Sequence, residues 1–286
     1  MNATLTPRQP EGSAHAARRA GPRRPEAAAP AARPIGSSGA ADEHLVSLLV
    51  PNSIEGEQYR ALRHQIEQRH KDDGLTVVAI SSPTPADGKT TTAINLAGAL
   101  AQDPQARVLL VDGDLRVPSV SEQLGLGEVA GPGLVEAILD PGRSLDDVVR
   151  DLPLFNLSVL PAGRSPSAPY EVLKSPRLGD LFQEARRRFD YILVDTPPIV
   201  PVPDCRVISK WVDGFMVVVA AHKTPRRLLQ EALNVTEPGK LMGLVFNRDE
   251  RLLTRAYGYY GYGQQHGRAR AAERGRGGAP RSQPCP

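Results

Sequence analysis

Apolar residues along the chain gather into short continuous runs separated by longer amphipathic stretches. The runs are Leu75–Ile80, Val108–Val111, Leu157–Leu160, Tyr191–Val194, Phe215–Ala220 and Leu241–Phe246. A short apolar run without alternation is what a strand buried on both faces requires. Between the runs, residues 54–70 read as an amphipathic helix with Ile54, Leu62 and Ile66 toward one side. Further helical patterns fall at Thr91–Gln102, Leu134–Leu139, Glu171–Arg188, Cys205–Trp211 and Arg226–Leu233. This alternation predicts an α/β fold, a mostly parallel sheet with helices on both faces.

Composition divides the 286 residues into three parts. Residues 1–40 and 264–286 are dominated by Ala, Pro, Gly and Arg and lack any apolar period. Such stretches bury too little apolar surface to offset chain entropy, and both are expected to be disordered tails. One domain is expected over residues 41–263. Each tail carries a net charge of +4, so the formal total of +3 leaves the middle at −5. Basic arms on an acidic body suit an anionic surface, although Arg-rich tails are more often simply solvated. No aromatic residues interleave with the basic ones as a base-stacking platform needs, so no nucleic-acid partner is expected. Cys205 and Cys285 make neither a disulfide framework nor a metal cluster. The sequence has no secretory h-region and no run near the ~20 apolar residues of a membrane span. A cytoplasmic location is expected, with any membrane link supplied by a partner.

Chemistry enters with Ser81-Ser82-Pro83-Thr84-Pro85-Ala86-Asp87-Gly88-Lys89-Thr90, between a predicted strand and a predicted helix. That context suits a phosphate-binding loop, in which backbone N–H groups wrap phosphate oxygens at a helix N-terminus. Gly88 permits close approach, Lys89 reaches the β- and γ-phosphates, and the Thr90 hydroxyl binds Mg²⁺. The first glycine of the usual loop pattern is replaced by Pro83. Two predicted strands then end in acids, Asp112 with Asp114 in VLLVDGDLRVP and Asp195 in YILVDTPP. A single Asp often does no more than end a strand. Three of them converge here where the Lys89 loop would place a triphosphate, because ligands of open α/β sheets sit at the strands' carboxyl ends.

These segments resemble the Walker A, A′ and B motifs of the bacterial tyrosine kinases (BY-kinases), on a P-loop NTPase-like fold. The likeness runs from about Glu55 to Tyr262 and includes LPAGRSPSAPYEVLKSPRL at residues 160–178. The sequence departs from the family at Ala86, where many members carry Gly, and at Ser167-Ala168-Pro169, where an Asn is missing. The resemblance implies ATP and Mg²⁺ as cofactors. It places Asp87, Gly88, Lys89, Thr90, Thr91 and Asn247 against the nucleotide, Asn247 at the adenine. Thr90, Asp114 and Asp195 would hold the metal, and Asp112 would take or orient the proton of an incoming tyrosine. Tyr257, Tyr259, Tyr260 and Tyr262 correspond to the family's C-terminal phosphoacceptor cluster, and glycines between them favour a flexible segment. Glu57, Arg60 and Arg63 match its oligomerisation motif, implying a homo-oligomeric ring; on their own they read as a solvated helix face. Further partners implied are a membrane chain-length regulator acting as activator and a tyrosine phosphatase, in capsule or exopolysaccharide production. Positioning ATPases of chromosome partition and septum placement share the acid motifs and are the alternative. They carry a lysine five residues before the P-loop lysine, where this chain has Thr84. A nucleotide-holding scaffold without turnover is a third reading.

Overall fold

The structure, a computed structural model, describes residues 41–127 and 131–249. Both tails and the tyrosine cluster lie outside the described residues.

Seven strands form one sheet in the order β3-β4-β2-β5-β1-β6-β7. They are β1 (Val77–Ser81), β2 (Val108–Asp112), β3 (Arg150–Leu152), β4 (Leu157–Leu160), β5 (Tyr191–Asp195), β6 (Gly214–Ala220) and β7 (Leu241–Asn247). All neighbours run parallel except β3, which lies antiparallel on β4 at one edge. The helices are α1 (Val46–Leu49), α2 (Ile54–Asp73), α3 (Lys89–Ala101), α4 (Val120–Gln123), α5 (Leu134–Leu139), α6 (Pro169–Leu173), α7 (Pro176–Arg188), α8 (Asp204–Ile208) and α9 (Arg226–Val235).

Because successive strand residues point to opposite faces, each central strand feeds two cores. Val77, Leu109, Ile192 and Val217 pack with α5, α7 and α8 on one face. Val78, Leu110, Leu193 and Val218 pack with α2 and α3 on the other. The runs that form β1, β2, β5 and β6 are covered on both sides as expected, but Leu241–Phe246 forms the edge strand β7, where Leu244 is 37% and Phe246 62% exposed. The predicted α/β class stands.

The details differ in physically legible ways. The single helix expected over Glu171–Arg188 is two, α6 and α7, because Pro176 cannot continue the first and instead opens the second behind its N-cap Ser175. Helix α2 runs on to Asp73, where Gly74 closes it in the left-handed conformation. Ile66 is buried and Leu62 partly buried as expected, but Ile54 is 43% exposed at the helix start. Strand β3 is too short and too polar to show in the hydrophobic pattern.

Asp213, just before β6, ties three elements together. Its carboxylate accepts the Thr76 and Val77 backbone N–H groups, each at 2.8 Å, and a two-pronged contact from Arg186 on α7 at 2.9 and 2.6 Å. Burial alone would push this carboxyl up, but Arg186 and the two backbone donors outweigh it and hold it below the usual range. A depressed folded pKa contributes stability above the unfolded carboxylate range, and that stability is lost as pH falls through the folded value. Asp213→Ala is therefore expected to cost about 2–3 kcal/mol at pH 7. The gap from the parent protein should narrow as pH drops below about 4. Urea melts across that pH series measure both.

Candidate active site

The carboxyl ends of β1, β2 and β5 meet at the centre of the sheet, where Asp112 and Asp195 stand in register on adjacent strands. The loop from β1 to α3 arches over this point. Two of its residues have left-handed backbones, Ala86 with φ 60° and Gly88 with φ 97°. A Cβ at Gly88 would lie 2.0 Å from the Asn247 amide nitrogen, so a substitution there would displace Asn247 and strain a backbone held at φ 97°. The first helical bond of α3 runs from the Thr92 N–H to the Gly88 carbonyl. The N–H groups of Lys89, Thr90 and Thr91 precede it and have no acceptor within the helix, which makes the turn an anion site.

Asp87 braces the loop from inside. One carboxylate oxygen accepts the Thr84 N–H at 3.0 Å and its hydroxyl at 2.8 Å, and the other accepts the Thr224 hydroxyl at 2.9 Å. Its carbonyl accepts the Asn247 amide at 3.1 Å. The carboxylate is thus engaged by protein, and Asp87 can meet a nucleotide only through its backbone. Asn247 lies against the back of the loop at the end of β7. Its amide oxygen takes the Arg248 N–H at 2.9 Å.

Lys89 is the hub of the acids. Its ammonium is 2.8 Å from Asp114 Oδ2 and 3.7 Å from Asp195 Oδ2. Burial works against that charge, but Asp195 and Asp114 overcome it and hold the group above the ordinary lysine range. The Thr90 hydroxyl donates to Asp195 Oδ2 at 2.6 Å and accepts from Ser119 at 3.1 Å. Asp114 Oδ1 accepts the Arg116 and Val117 N–H groups at 3.3 and 3.1 Å, which fixes the loop after β2. Asp112 Oδ2 accepts the Val120 N–H at 3.1 Å. Burial, then the Asp195 charge, pushes Asp112 up to about 7. Burial pushes Asp195 up to about 6, against the pull of Lys89 and Thr90.

A cavity of about 440 Å³ opens on this cluster, walled by Gly88, Lys89, Thr90, Asp114, Arg116 and Arg248 among others. Asp112 and Asp195 are not in the wall; both are fully buried. Among the described residues no three acid, His or Cys side chains converge to chelate an ion by themselves. Asp112 Oδ1 and Asp195 Oδ1 are nevertheless buried acceptors with no hydrogen-bond partner. A carboxylate beside a threonine hydroxyl, one oxygen unspent, suits Mg²⁺, which takes one or two carboxylates and completes its shell with phosphates and water.

Seven expected site residues therefore gather here: Gly88, Lys89, Thr90, Thr91 and Asp114 line the cavity, and Asp112 and Asp195 lie buried at the adjacent strand ends, while Asp87 and Asn247 stand behind the loop. Thr91 donates its hydroxyl to Gln123 at 3.1 Å. Glu57, Arg60 and Arg63 lie apart, on α2. Arg60 pairs with Glu57 and donates to the Pro51 carbonyl at 3.0 Å, while Arg63 donates to the Ala99 carbonyl at the end of α3. Sequence reasoning missed Arg116, Asp204, Ser119 and Thr224. Only Arg116 had a signal, two residues beyond Asp114 in the same motif.

A family model described as an AAA domain matches residues 75–209. Tyrosine-protein kinase YwqD of Bacillus subtilis is 34% identical over 220 residues, covering 76% of this chain and 91% of that protein. The chain belongs to the bacterial tyrosine kinases. Among solved structures, the chimerical protein CapA2B2 aligns with a TM-score of 0.66 at 28% identity, over 74% of this chain and 93% of that one. A longer relative, the succinoglycan biosynthesis transport protein ExoP of Rhizobium meliloti, is 31% identical over 206 residues, 70% of this chain and 26% of that protein. A ParA family ATPase from Chlorobium tepidum shares 22% identity over 60% of this chain and 72% of its own, with a TM-score of 0.51, a likeness of fold alone. The P-loop ATPase fold of this kinase implies ATP binding, and no described helix is long and apolar enough to cross a membrane.

Ala86 holds a left-handed φ of 60°, a conformation that suits glycine better than alanine. A Cβ in the left-handed region costs on the order of 1–2 kcal/mol. Ala86→Gly should relieve that strain, less the entropy a glycine adds to the unfolded chain, for a net gain of about 1 kcal/mol. A thermal melt should rise by roughly 2–4 °C.

Proposed function

We propose that this bacterial tyrosine kinase transfers the γ-phosphoryl group of ATP to the tyrosine cluster of its own C-terminal segment, in a neighbouring copy of the chain. The observation that carries this reading is the Lys89 ammonium held among Asp114, Asp195 and the Thr90 hydroxyl at the mouth of a glycine-turned anion site. Phosphoryl transfer asks for positioning and charge neutralisation more than for covalent chemistry. The N–H groups of Gly88, Lys89, Thr90 and Thr91 would cradle the phosphates, Lys89 would bridge β- and γ-oxygens, and Asn247 would meet the adenine once its amide is released from the Asp87 carbonyl. Mg²⁺, held by Thr90, Asp195 and Asp114 with phosphate oxygens, would neutralise charge on the β- and γ-phosphates.

Asp112 is assigned the proton. A carboxylate poised near neutral pH accepts a phenol proton more readily than one at an ordinary value. In the transfer, the bond from the γ-phosphorus to the β–γ bridging oxygen breaks and its electron pair leaves with ADP. A bond from the tyrosine oxygen to phosphorus forms, and the phenolic proton passes to Asp112.

Tyr257, Tyr259, Tyr260 and Tyr262 are the assigned acceptors. From Asn247 to Tyr262 an extended chain spans at most roughly 50 Å, enough to reach a neighbouring subunit. Glu57, Arg60 and Arg63 would form the contact that closes such copies into a ring. Each phosphate adds nearly two negative charges and would loosen that ring. A membrane chain-length regulator as activator, an opposing tyrosine phosphatase, and service to capsule or exopolysaccharide production at the inner membrane face complete the proposal. The name of the ExoP relative supports the pathway.

Mass spectrometry after incubation with ATP tests the acceptor. Phosphate should concentrate on residues 257–262, and changing those four tyrosines to Phe should remove nearly all phosphotyrosine while leaving ATP affinity unchanged. Phosphate mainly on Tyr59, Tyr170 or Tyr191 would sink the tail assignment. Release of free phosphate without any labelled protein would favour the positioning-ATPase reading.

Light scattering tests the ring. Replacing Glu57, Arg60 and Arg63 together with Ala should lower the oligomeric mass and slow transfer between copies. An unchanged mass would reduce the triad to a brace between α2 and its neighbours, where Arg60 and Arg63 already make bonds.

A further inference from the structure

Asp204 is fully buried at the start of α8, and its carboxylate meets Arg116 in a two-pronged contact. Arg116 Nε donates to Oδ2 at 2.8 Å and Nη2 to Oδ1 at 2.9 Å. The acid side chain is 0% exposed and the arginine 35% exposed. Burying a carboxylate is expensive even when it is paired, and an apolar pair of similar volume often serves stability as well or better. The pair thus calls for a reason beyond packing.

Its position supplies one. Arg116 lines the same cavity as Lys89, Thr90 and Asp114. Asp204 occupies Nε and Nη2, and Nη1 is not part of that pairing. A guanidinium gripped by two parallel bonds is fixed in orientation, which a flexible lysine would not be. The charge balance points the same way. Asp112, Asp114, Asp195 and Asp204 stand against Lys89, Arg116 and Arg248, and a triphosphate adds further negative charge. Such a site needs every fixed cation it has where charge shifts during transfer.

We propose that Arg116 is a catalytic residue of the transfer, its free edge contacting the migrating phosphoryl group, and that Asp204 is the positioning residue holding it there. This rests on the kinase reading above. As the γ-phosphorus leaves the bridging oxygen for the tyrosine oxygen, the guanidinium donates to the phosphoryl oxygens and stabilises the charge spread over them. The proton still passes to Asp112, and nothing is consumed at Arg116.

Three variants test this with the full chain: Arg116→Lys, Asp204→Asn, and the double variant Arg116→Met with Asp204→Leu. The double variant removes both charges, so no unpaired buried carboxylate remains to unfold the protein. Two quantities are read, ADP affinity by titration with a fluorescent ADP and the single-turnover rate of phosphotyrosine formation. ADP lacks the γ-phosphate, so its affinity should stay within about threefold of the parent in all three. The transfer rate should fall roughly a hundredfold or more for Arg116→Lys and for the double variant. Asp204→Asn should lower it less, because the guanidinium is loosened and not lost.

A transfer rate within threefold of the parent in Arg116→Lys and in the double variant would overturn the proposal. So would ADP affinity falling in proportion to the rate, which would make the pair a clamp on the loop after β2. If the parent protein itself labels no tyrosine, the kinase reading fails first, and that outcome is separate from either result.

Discussion

The structure turns on one buried contact, the Lys89 ammonium set between Asp114 and Asp195. Three carboxylates brought to the ends of adjacent strands repel one another and lose their water. Two respond with raised pKa values, Asp112 at about 7 and Asp195 at about 6. One lysine, at the first turn of α3, is the nearest counter-charge, and its place is determined by the loop that precedes it. The loop can deliver Lys89 only because Gly88 takes a left-handed turn directly against Asn247. Asp87 then locks the turn to Thr84 and to Thr224, beyond β6.

This bracing joins the phosphate loop to the far edge of the sheet. Thr224 follows β6, and Asn247 and Arg248 end β7. The chain therefore leaves the described fold at the wall of the nucleotide cavity, with Arg248 lining it. The tyrosine cluster begins nine residues further along the sequence. Any event that moves Asn247 will be felt at the Asp87 carbonyl and hence by the loop, without need of a long relay. The strand end that anchors the loop is also the root of the proposed substrate segment.

The fold was legible where burial is symmetrical. Strands β1, β2, β5 and β6 are apolar throughout because both faces are covered, and a continuous apolar run has few other meanings. The weak points are local. Leu62 and Ile66 report the packing of α2, whereas Ile54 sits on its first turn in water, so helical period alone placed one residue too many inside. The Pro176 break was hidden because Glu171–Arg188 has the right period on both sides of it. In the site, Lys89, Asp114 and Asp195 could be found from the order of strand, loop and acid. Asp204 and Thr224 could not, since their partners Arg116 and Asp87 are 88 and 137 positions away and no local pattern marks either.

The fold is shared with a ParA family ATPase, so what makes this site a kinase must lie in how charge is supplied around the phosphates. The positioning-ATPase reading expects a second lysine five residues before Lys89, and the sequence has Thr84 there. Thr84 is turned inward, its N–H and hydroxyl both bound to Asp87. The loop thus spends that position on its own rigidity and brings no second cation. The cavity wall also carries Arg116, held by Asp204 from a different element. A cation fixed by the chain's own wall does not depend on a partner chain inserting a loop residue. An ATPase has only to admit a water to the phosphates, whereas a kinase must admit a tyrosine side chain with its flanking backbone. A braced loop that brings no added lysine takes up less of the space such a substrate needs.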